Sequence, residues 1–300
     1  MSQALPSAGT LYLVATPIGN LSDLSPRARE ILGSVDLVAC EDTRTTRTLL
    51  AAHGISAKTV ALHEHNERTA RDKLVESLAG GKSIALVSDA GTPAISDPGA
   101  LVVEAAHRAG IRVVPIPGPS AAIAAYSASG FLADRFLFVG FLPASTGGRR
   151  KAIEALDAAC PVVIYEAPHR VLETVEDLAA AFGPERELVI ARELTKKFEE
   201  VARLPLGAAK AWVEANSHRQ QGEFVLVLGP SLQGEANDNA EAERILELLL
   251  DEKLSVSDAA RIAARLTGGS KNALYQHALE LAQHALELAR QPASKDRKPR

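Results

Sequence analysis

Two α/β units followed by a small helical unit are predicted by three features of the 300-residue sequence. Short apolar runs alternate with helical stretches through most of the chain. A proline-rich break at Pro115–Pro119 (PIPGP) interrupts that alternation, and a polar, turn-rich stretch at Ser231–Asn239 (SLQGEANDN) ends it. Beyond it the periodicity is helical only. These breaks divide the chain into 1–117, 118–232 and 233–300.

In the first unit Leu11–Ala15, Val35–Ala39, Val60–Leu62, Ile84–Val87 and Val113–Ile116 read as short buried strands. Ser25 is placed to cap a helix whose first turn holds Pro26. Helices fit 43–53, 67–79 and 98–109, with Gly54 and Gly110 as C-terminal caps. Continuous apolar strands separated by helices imply a mostly parallel sheet covered on both faces. The second unit carries strands at Phe136–Phe138, Val162–Tyr165, Leu188–Ala191 and Phe224–Leu228. Its helices fit 120–129, 149–159, 169–182 and 206–215. The last unit reads as three helices, Ala240–Glu252, Ser255–Leu266 and Lys271–Arg290, with a turn at Thr267–Ser270. This is a helix-turn-helix pattern or a packing and dimerisation module. The basic residues after it read as a disordered tail.

Composition excludes several classes. Hydrophobic residues make up 46%, enough for a filled core. The two cysteines, Cys40 and Cys160, are far apart and belong to no CxxC or Cys/His cluster, so a zinc site is not expected and a reducing cytoplasm is. Met1–Gly9 lacks the features of a signal peptide, and no run reaches the roughly 18 apolar residues of a membrane span. The net charge of -4 argues against a general nucleic-acid coat and against DNA as partner. It leaves room for local basic patches, which occur at Arg44/Arg47, Arg149–Lys151, His169/Arg170 and Arg192/Lys196/Lys197.

In a parallel sheet ligands bind beyond the strand C-termini. Every one of the five predicted strands of the first unit is followed by a Gly/Pro-rich or charged turn: Thr16–Leu21, Glu41–Arg44, His63–Asn66, Ser88–Gly99 and Pro117–Ser120. Gly19 and Gly91 would let backbone approach a ligand. The absence of GxGxxG and Walker A patterns argues against a dinucleotide or P-loop site. The loops suit a cofactor held by backbone groups with an apolar slot for a base.

VATPIGNLSDLSPRA, EDTR, VSDAGTPAISDPG, PIPGPSA, FVGFLP, YEAPHR, ARELTKKFEE and GEFVLVL follow one another in this order. Together they resemble the ribosomal RNA small subunit methyltransferase I family, the RNA-modifying branch of the tetrapyrrole-methylase fold, over residues 9–230. The helical tail, with KNALYQHALEL, is similar to that family's C-terminal extension. The resemblance implies two α/β domains of the tetrapyrrole-methylase type with S-adenosylmethionine in the cleft between them. It implies transfer to the ribose 2′-hydroxyl of a cytidine in the decoding region of small-subunit ribosomal RNA, free or assembled, by a homodimer. It maps cofactor contacts onto Pro17 and Gly19 in the first loop, Gly91, Thr92, Pro93 and Ile95 in the fourth, Ser120 and Ala121 after the PGP turn, Tyr165, and Gly222 and Glu223. Thr92 stands where porphyrin-modifying relatives place an aspartate.

Methyl transfer to a hydroxyl benefits from a base. Glu41, Asp42, His63, Glu166 and Glu193 are candidates at strand ends, and Glu166 and Asp42 are the chosen pair. The alternatives are an ion pair of Glu166 with Arg170 and an N-cap role for Asp42. His63 and His65 lack a third metal ligand nearby in sequence. Arg44, Arg170, Arg192 and Lys196 are assigned to phosphate, for which a guanidinium fork is suited. Lys271, Asn272, Tyr275 and Gln276 open the last helix, and Lys271 is assigned to RNA. Methylation of a tetrapyrrole intermediate on the same fold is the second reading, and a non-enzymatic RNA-binding factor the third.

Overall fold

A computed structural model describes residues 7–63, 65–156, 159–231, 242, 244–267, 272 and 274–279. The chain divides into two compact units after Pro230.

The first unit holds two five-stranded sheets. The first sheet comprises β1 (Thr10–Val14), β2 (Leu37–Cys40), β3 (Thr59–Ala61), β4 (Ile84–Val87) and β5 (Arg112–Ile116), ordered β3-β2-β4-β1-β5. All its pairings are parallel. The alternation of side chains across a strand splits its core in two. Tyr12, Val14, Val38, Cys40, Ala85 and Val87 pack one face against Ala28, Ile31 and Leu32 of α1 (Pro26–Ser34) and Leu50 of α2 (Thr43–Ala52). Leu11, Ala39, Ile84 and Leu86 pack the other against Leu74 and Leu78 of α3 (Glu67–Ala79) and Val102 and Ala106 of α4 (Ala100–Arg108). Each such aliphatic side chain contributes roughly 1.5–3 kcal/mol on full burial. Ser25 caps α1 through the Ala28 N–H (3.1 Å), with Pro26 in its first turn, as expected. Gly54 and Gly110 each lie one residue past the C-cap, in the left-handed region, and terminate α2 and α4.

The second sheet comprises β6 (Leu137–Phe141), β7 (Val162–Glu166), β8 (Glu187–Arg192), β9 (Glu200–Pro205) and β10 (Phe224–Leu228), ordered β6-β7-β10-β8-β9. It is mixed. Only β6 and β7 are parallel; β10 runs antiparallel to both β7 and β8, and β9 antiparallel to β8. One face packs against α6 (Thr146–Glu154), α7 (Val171–Phe182) and α8 (Leu206–Glu214), and the other against α5 (Ala121–Ser129). Strand β9 was not among the expected elements: it is an edge strand with alternating exposure, carrying Glu200 and Arg203. Helix α6 also starts earlier than the expected 149, because Ser145 caps it through the Gly148 N–H (3.3 Å). The glycine pair Gly147-Gly148 concealed that start.

Beneath α6 and α7 lies a buried ionic cluster. Arg149, 1% exposed, donates to Asp177 (2.7 Å) and Glu173 (2.9 Å), and Arg150 reaches Asp177 from outside (2.8 Å).

The second unit is helical at 244–251 (α9), Val256–Thr267 (α10) and 274–279 (α11). Leu246, Ala259, Ala260, Ala263, Leu274 and Ala278 form its core. Ser255 caps α10 through the Asp258 N–H (3.2 Å), as its position suggested. Among the described residues no helix is long and apolar enough to cross a membrane.

Candidate active site

Because the first sheet is wholly parallel, the five loops flagged in the sequence all leave the same edge. Hydrogen bonds tie them together with the β4 loop at the centre. Thr16 and Gly91 exchange backbone bonds (2.9 and 3.0 Å), and the Thr16 hydroxyl donates to the Ser88 carbonyl (3.1 Å). The Thr92 hydroxyl donates to the Pro119 carbonyl (3.1 Å). The Asp42 N–H donates to Asp89 Oδ1 (3.1 Å), and Glu67 Oε1 accepts from the Gly99 and Leu101 N–H groups (2.8 and 3.1 Å). The loop is also strained: Ala94 and Ser96 have φ of 65° and 63°, a region non-glycine residues occupy at a cost of about 1–3 kcal/mol each.

The second sheet offers its own edge. The ends of β6, β7 and β8 and the start of β10 meet there, the last because β10 runs the opposite way. A β-bulge lies between Phe138 and Gly140, and the bare Gly140 admits Ser96, whose Oγ lies 2.9 Å from where a Cβ would stand. Between the edges lies a cavity of about 360 Å³. Ile18, Asp89, Gly91, Thr92, Ile95, Asp97, Ser120 and Ala121 form one wall, and Phe141, Tyr165, Glu166, Glu223, Phe224 and Val225 the other. Tyr165 is wedged edge-on against Phe138 and Phe141, and its hydroxyl accepts the Ala122 N–H (3.2 Å).

Gly91, Thr92, Ile95, Ser120, Ala121, Tyr165 and Glu223 therefore meet at one cavity. Pro93 lines an adjoining apolar groove with Leu13, Pro115 and Ile123. Pro17 is buried behind the wall. Gly19 and Gly222 do not line it either. A Cβ on Gly19 would fall 2.4 Å from Lys196 Cγ, and one on Gly222 2.4 Å from Glu193 Oε1. These glycines make room for the Lys196 and Glu193 side chains, which pair with each other.

The two carboxylates chosen as catalytic are committed elsewhere. Glu166, 2% exposed, accepts the Ala167 N–H (2.8 Å) and the Thr174 hydroxyl (2.6 Å). Arg170 Nε stands 3.2 Å from it, an ion pair by distance without hydrogen-bond geometry. Asp42 caps α2 through the Arg44 N–H (2.7 Å) and is chelated by the Arg44 side chain (2.6 Å), whose hydrogen bonds hold its carboxyl at about 2. So acidic a group accepts a proton poorly near neutrality. In both cases the alternative local pairing is the one formed.

Most of the cations assigned to phosphate also have partners within the protein. Arg192, 5% exposed, donates to the Gln221 (2.7 Å) and Phe198 (3.1 Å) carbonyls, and Arg170 to those of Leu142 (2.7 Å) and Pro143 (3.1 Å). Both guanidiniums are engaged by the protein's own backbone. Lys196 bridges Glu193 (2.8 Å) and Glu223 (3.1 Å). Arg44 is paired with Asp42 but keeps its side chain 87% exposed at the surface. Lys271 lies outside the described residues. Asp89, Asp97 and Ile18 were missed: the sequence marks their loops but does not distinguish one loop acid from another.

Residues 10–210 match the family model for tetrapyrrole (corrin/porphyrin) methylases, and 236–282 that for the RsmI C-terminal HTH domain. Ribosomal RNA small subunit methyltransferase I of Pseudomonas aeruginosa is 51% identical over 277 residues, covering 91% of this chain and 98% of that protein. The chain belongs to the ribosomal RNA small subunit methyltransferase I family. The Escherichia coli O157:H7 member is 50% identical, covering 91% of this chain and 96% of its own length. The fold of this methyltransferase I chain recurs in a uroporphyrin-III C-methyltransferase from Thermus thermophilus, solved complexed with S-adenosyl homocysteine. That structure has a TM-score of 0.53 and 18% identity, over 73% of this chain and 97% of the other. Membership favours the RNA branch over the tetrapyrrole-modifying reading.

Proposed function

We propose that this cleft binds S-adenosylmethionine and methylates the 2′-hydroxyl of a cytidine ribose in the decoding region of 16S ribosomal RNA. The observation that carries the reading is identity of 51% to a ribosomal RNA small subunit methyltransferase I along nearly its whole length. The cavity suits the cofactor. Its volume of about 360 Å³ is within the usual range for small-molecule sites. Its apolar faces are Ile18, Ile95, Phe141 and Phe224, and its polar groups gather at Thr92, Ser120 and the Asp89–Asp97 segment. Gly91, Thr92, Ile95, Ser120 and Ala121 hold the cofactor from the first sheet, and Tyr165 and Glu223 from the second. The bound cofactor supplies a methyl carbon activated by a sulfonium. The residues of the cleft bring the hydroxyl in line with that carbon and exclude water. The protein works in the cytoplasm as a homodimer, as the family resemblance implies, and its C-terminal helical unit engages the RNA through the segment beginning at Lys271.

The test offers radiolabelled S-adenosylmethionine with naked 16S RNA, small subunits lacking the modification, and uroporphyrinogen. Label mapped by nuclease digestion to a cytidine ribose is expected. Label on the porphyrinogen, or none with no cofactor binding, overturns the reading.

Arg44 is proposed as a phosphate contact. Arg44→Ala is expected to weaken small-subunit binding and to lower the salt slope of log affinity by about one. Cofactor affinity should not change. An unchanged slope removes Arg44 from the interface.

A further inference from the structure

Between β8 and β9 the chain makes a tight loop over Glu193–Glu199, and the loop is strained. Glu193 and Thr195 have φ of 52° and 66°, and for a β-branched residue such as Thr195 that region is a marked outlier. Hydrogen bonds hold it in this shape. The Lys196 N–H donates to the Glu193 carbonyl (3.0 Å), the Glu199 N–H to the Lys196 carbonyl (3.2 Å), and the Thr195 N–H to the Glu199 carboxylate. The buried Arg192 guanidinium grips the Phe198 carbonyl (3.1 Å). Yet the Phe198 side chain on this scaffold is 65% exposed. A single bare apolar side chain means little by itself. Backbone strain kept up beside one is a reason to ask what it meets.

The loop stands beside the cavity and touches the residues that form both walls. Toward the second sheet, Lys196 reaches Glu223 (3.1 Å), and the Glu193 carboxylate accepts the Glu223 N–H (2.9 Å). Toward the first, the Lys196 stem and the Thr195 hydroxyl take the space left by Gly19, next to the wall residue Ile18. Phe198 follows Lys196 by two residues and does not itself line the cavity.

We propose that Phe198 stacks on the base of a nucleotide neighbouring the methylated cytidine, with Lys197 on an adjoining phosphate, an assignment that rests on the function proposed above. To enter a cavity walled by both sheets, a nucleotide must leave its regular stack, as bases do when enzymes act on them. That strands the face of its neighbour, and an aromatic ring fixed at the rim replaces the lost stacking partner.

The charges near the ring favour RNA over a second apolar surface. The Lys197 ammonium lies 5.4 Å from the Phe198 ring centroid and makes no ion pair among the described residues. The neighbouring carboxylates have partners inside the protein: Glu193 and Glu223 meet Lys196, Glu199 accepts the Thr195 N–H, and Glu200 pairs with Arg219 (3.0 Å). A π-face beside a cation matches a base beside its phosphate.

The test measures binding of small subunits lacking the modification. Phe198→Ala should raise their Kd by at least about tenfold. Phe198→Leu keeps the bulk without the π-face and should raise it by at least about fivefold, whereas Phe198→Trp should stay within about threefold of wild type. The Kd for S-adenosylmethionine should change by less than about twofold in all three, since the ring lies off the cavity wall. The salt slope of log affinity should be unchanged in Phe198→Ala and lower by about one in Lys197→Ala. With photoreactive p-benzoylphenylalanine in place of Phe198, irradiation should join the chain to 16S RNA beside the methylated cytidine. Phe198→Leu binding as well as wild type overturns the proposal, because apolar contact then suffices. Adducts that map away from that cytidine, only to ribosomal protein, or to a second copy of this chain overturn it as well. A wild-type chain that transfers no methyl overturns the underlying function and this assignment with it. An active wild type beside a Phe198→Ala variant of unchanged subunit affinity overturns this assignment alone.

Discussion

Replacing Gly91 by leucine is expected to raise the Kd for S-adenosylmethionine by at least about a hundredfold, equivalent to roughly 2.7 kcal/mol. Gly91 has φ of 82° and sits on the cavity wall while its N–H and C=O are both held by Thr16. A Cβ there would stand 3.4 Å from Ile18 Cγ2 and 3.7 Å from the Pro119 carbonyl, tight but tolerable. The next carbons of a leucine side chain have the cavity to enter. Gly91→Ala separates the two effects. It carries the left-handed backbone cost of about 1–2 kcal/mol without filling the cavity; that cost falls on the free and bound protein alike, so its affinity should stay within about threefold while its stability drops. Calorimetry with the cofactor, beside circular dichroism to check folding, measures both. A folded leucine variant that binds within threefold of wild type would place the cofactor elsewhere.

Asp177→Ala is expected to cost about 3–5 kcal/mol of unfolding free energy, read from the urea midpoint. It strands the Arg149 guanidinium, 1% exposed, without its nearest counter-ion. Glu173 remains, but its side chain is 61% exposed and compensates little of the buried charge. Replacing both partners, as Arg149→Met with Asp177→Leu, should restore most of the loss because no charge is then left buried. The cluster also sets an acid limit. Burial works to raise the proton affinity of Asp177, but the hydrogen bonds from Arg150 and Arg149 outweigh it and bring the carboxyl below its ordinary value. A depressed folded-state pKa means that the contribution is complete above the unfolded value of about 3.9 and is lost as pH falls through the folded one. Below about pH 4 the wild-type urea midpoint should therefore fall more steeply than that of Asp177→Ala. Parallel curves would show that the pair contributes nothing.

Strands with both faces buried were plain in the sequence. Ile84–Val87 and Phe224–Leu228 occupy the residues expected of them because every position in each is apolar and buried. The same uniformity hides direction: nothing in an apolar run shows that β10 lies antiparallel between β7 and β8. Strand β9 escaped notice because an edge strand needs only one covered face: Arg203 stands on the exposed face, and the half-buried Glu200 opens the other. At the site, glycines and prolines marked the loops, since backbone that approaches a ligand closely restricts its own residue types. Charged side chains gave a weaker signal. Whether Arg192 reaches a phosphate or the carbonyl of Gln221 depends on a contact across 29 positions of chain. Glu166 resembles a base until the Thr174 hydroxyl, eight residues on, is found against it.

The central place of β10 in the second sheet has a consequence for synthesis of the chain. Strands β7 and β8 are joined through β10 alone, and β10 is the last strand to be translated. The first sheet has all five of its strands once Ile116 has emerged. The second stays in two separate pieces, β6-β7 and β8-β9, until Phe224–Leu228 leaves the ribosome. Glu223, Phe224 and Val225 then add the last part of the cavity wall. A nascent chain halted before Phe224 carries the first set of loops with nothing complete to face them, and so acquires the capacity to bind its cofactor in one late step.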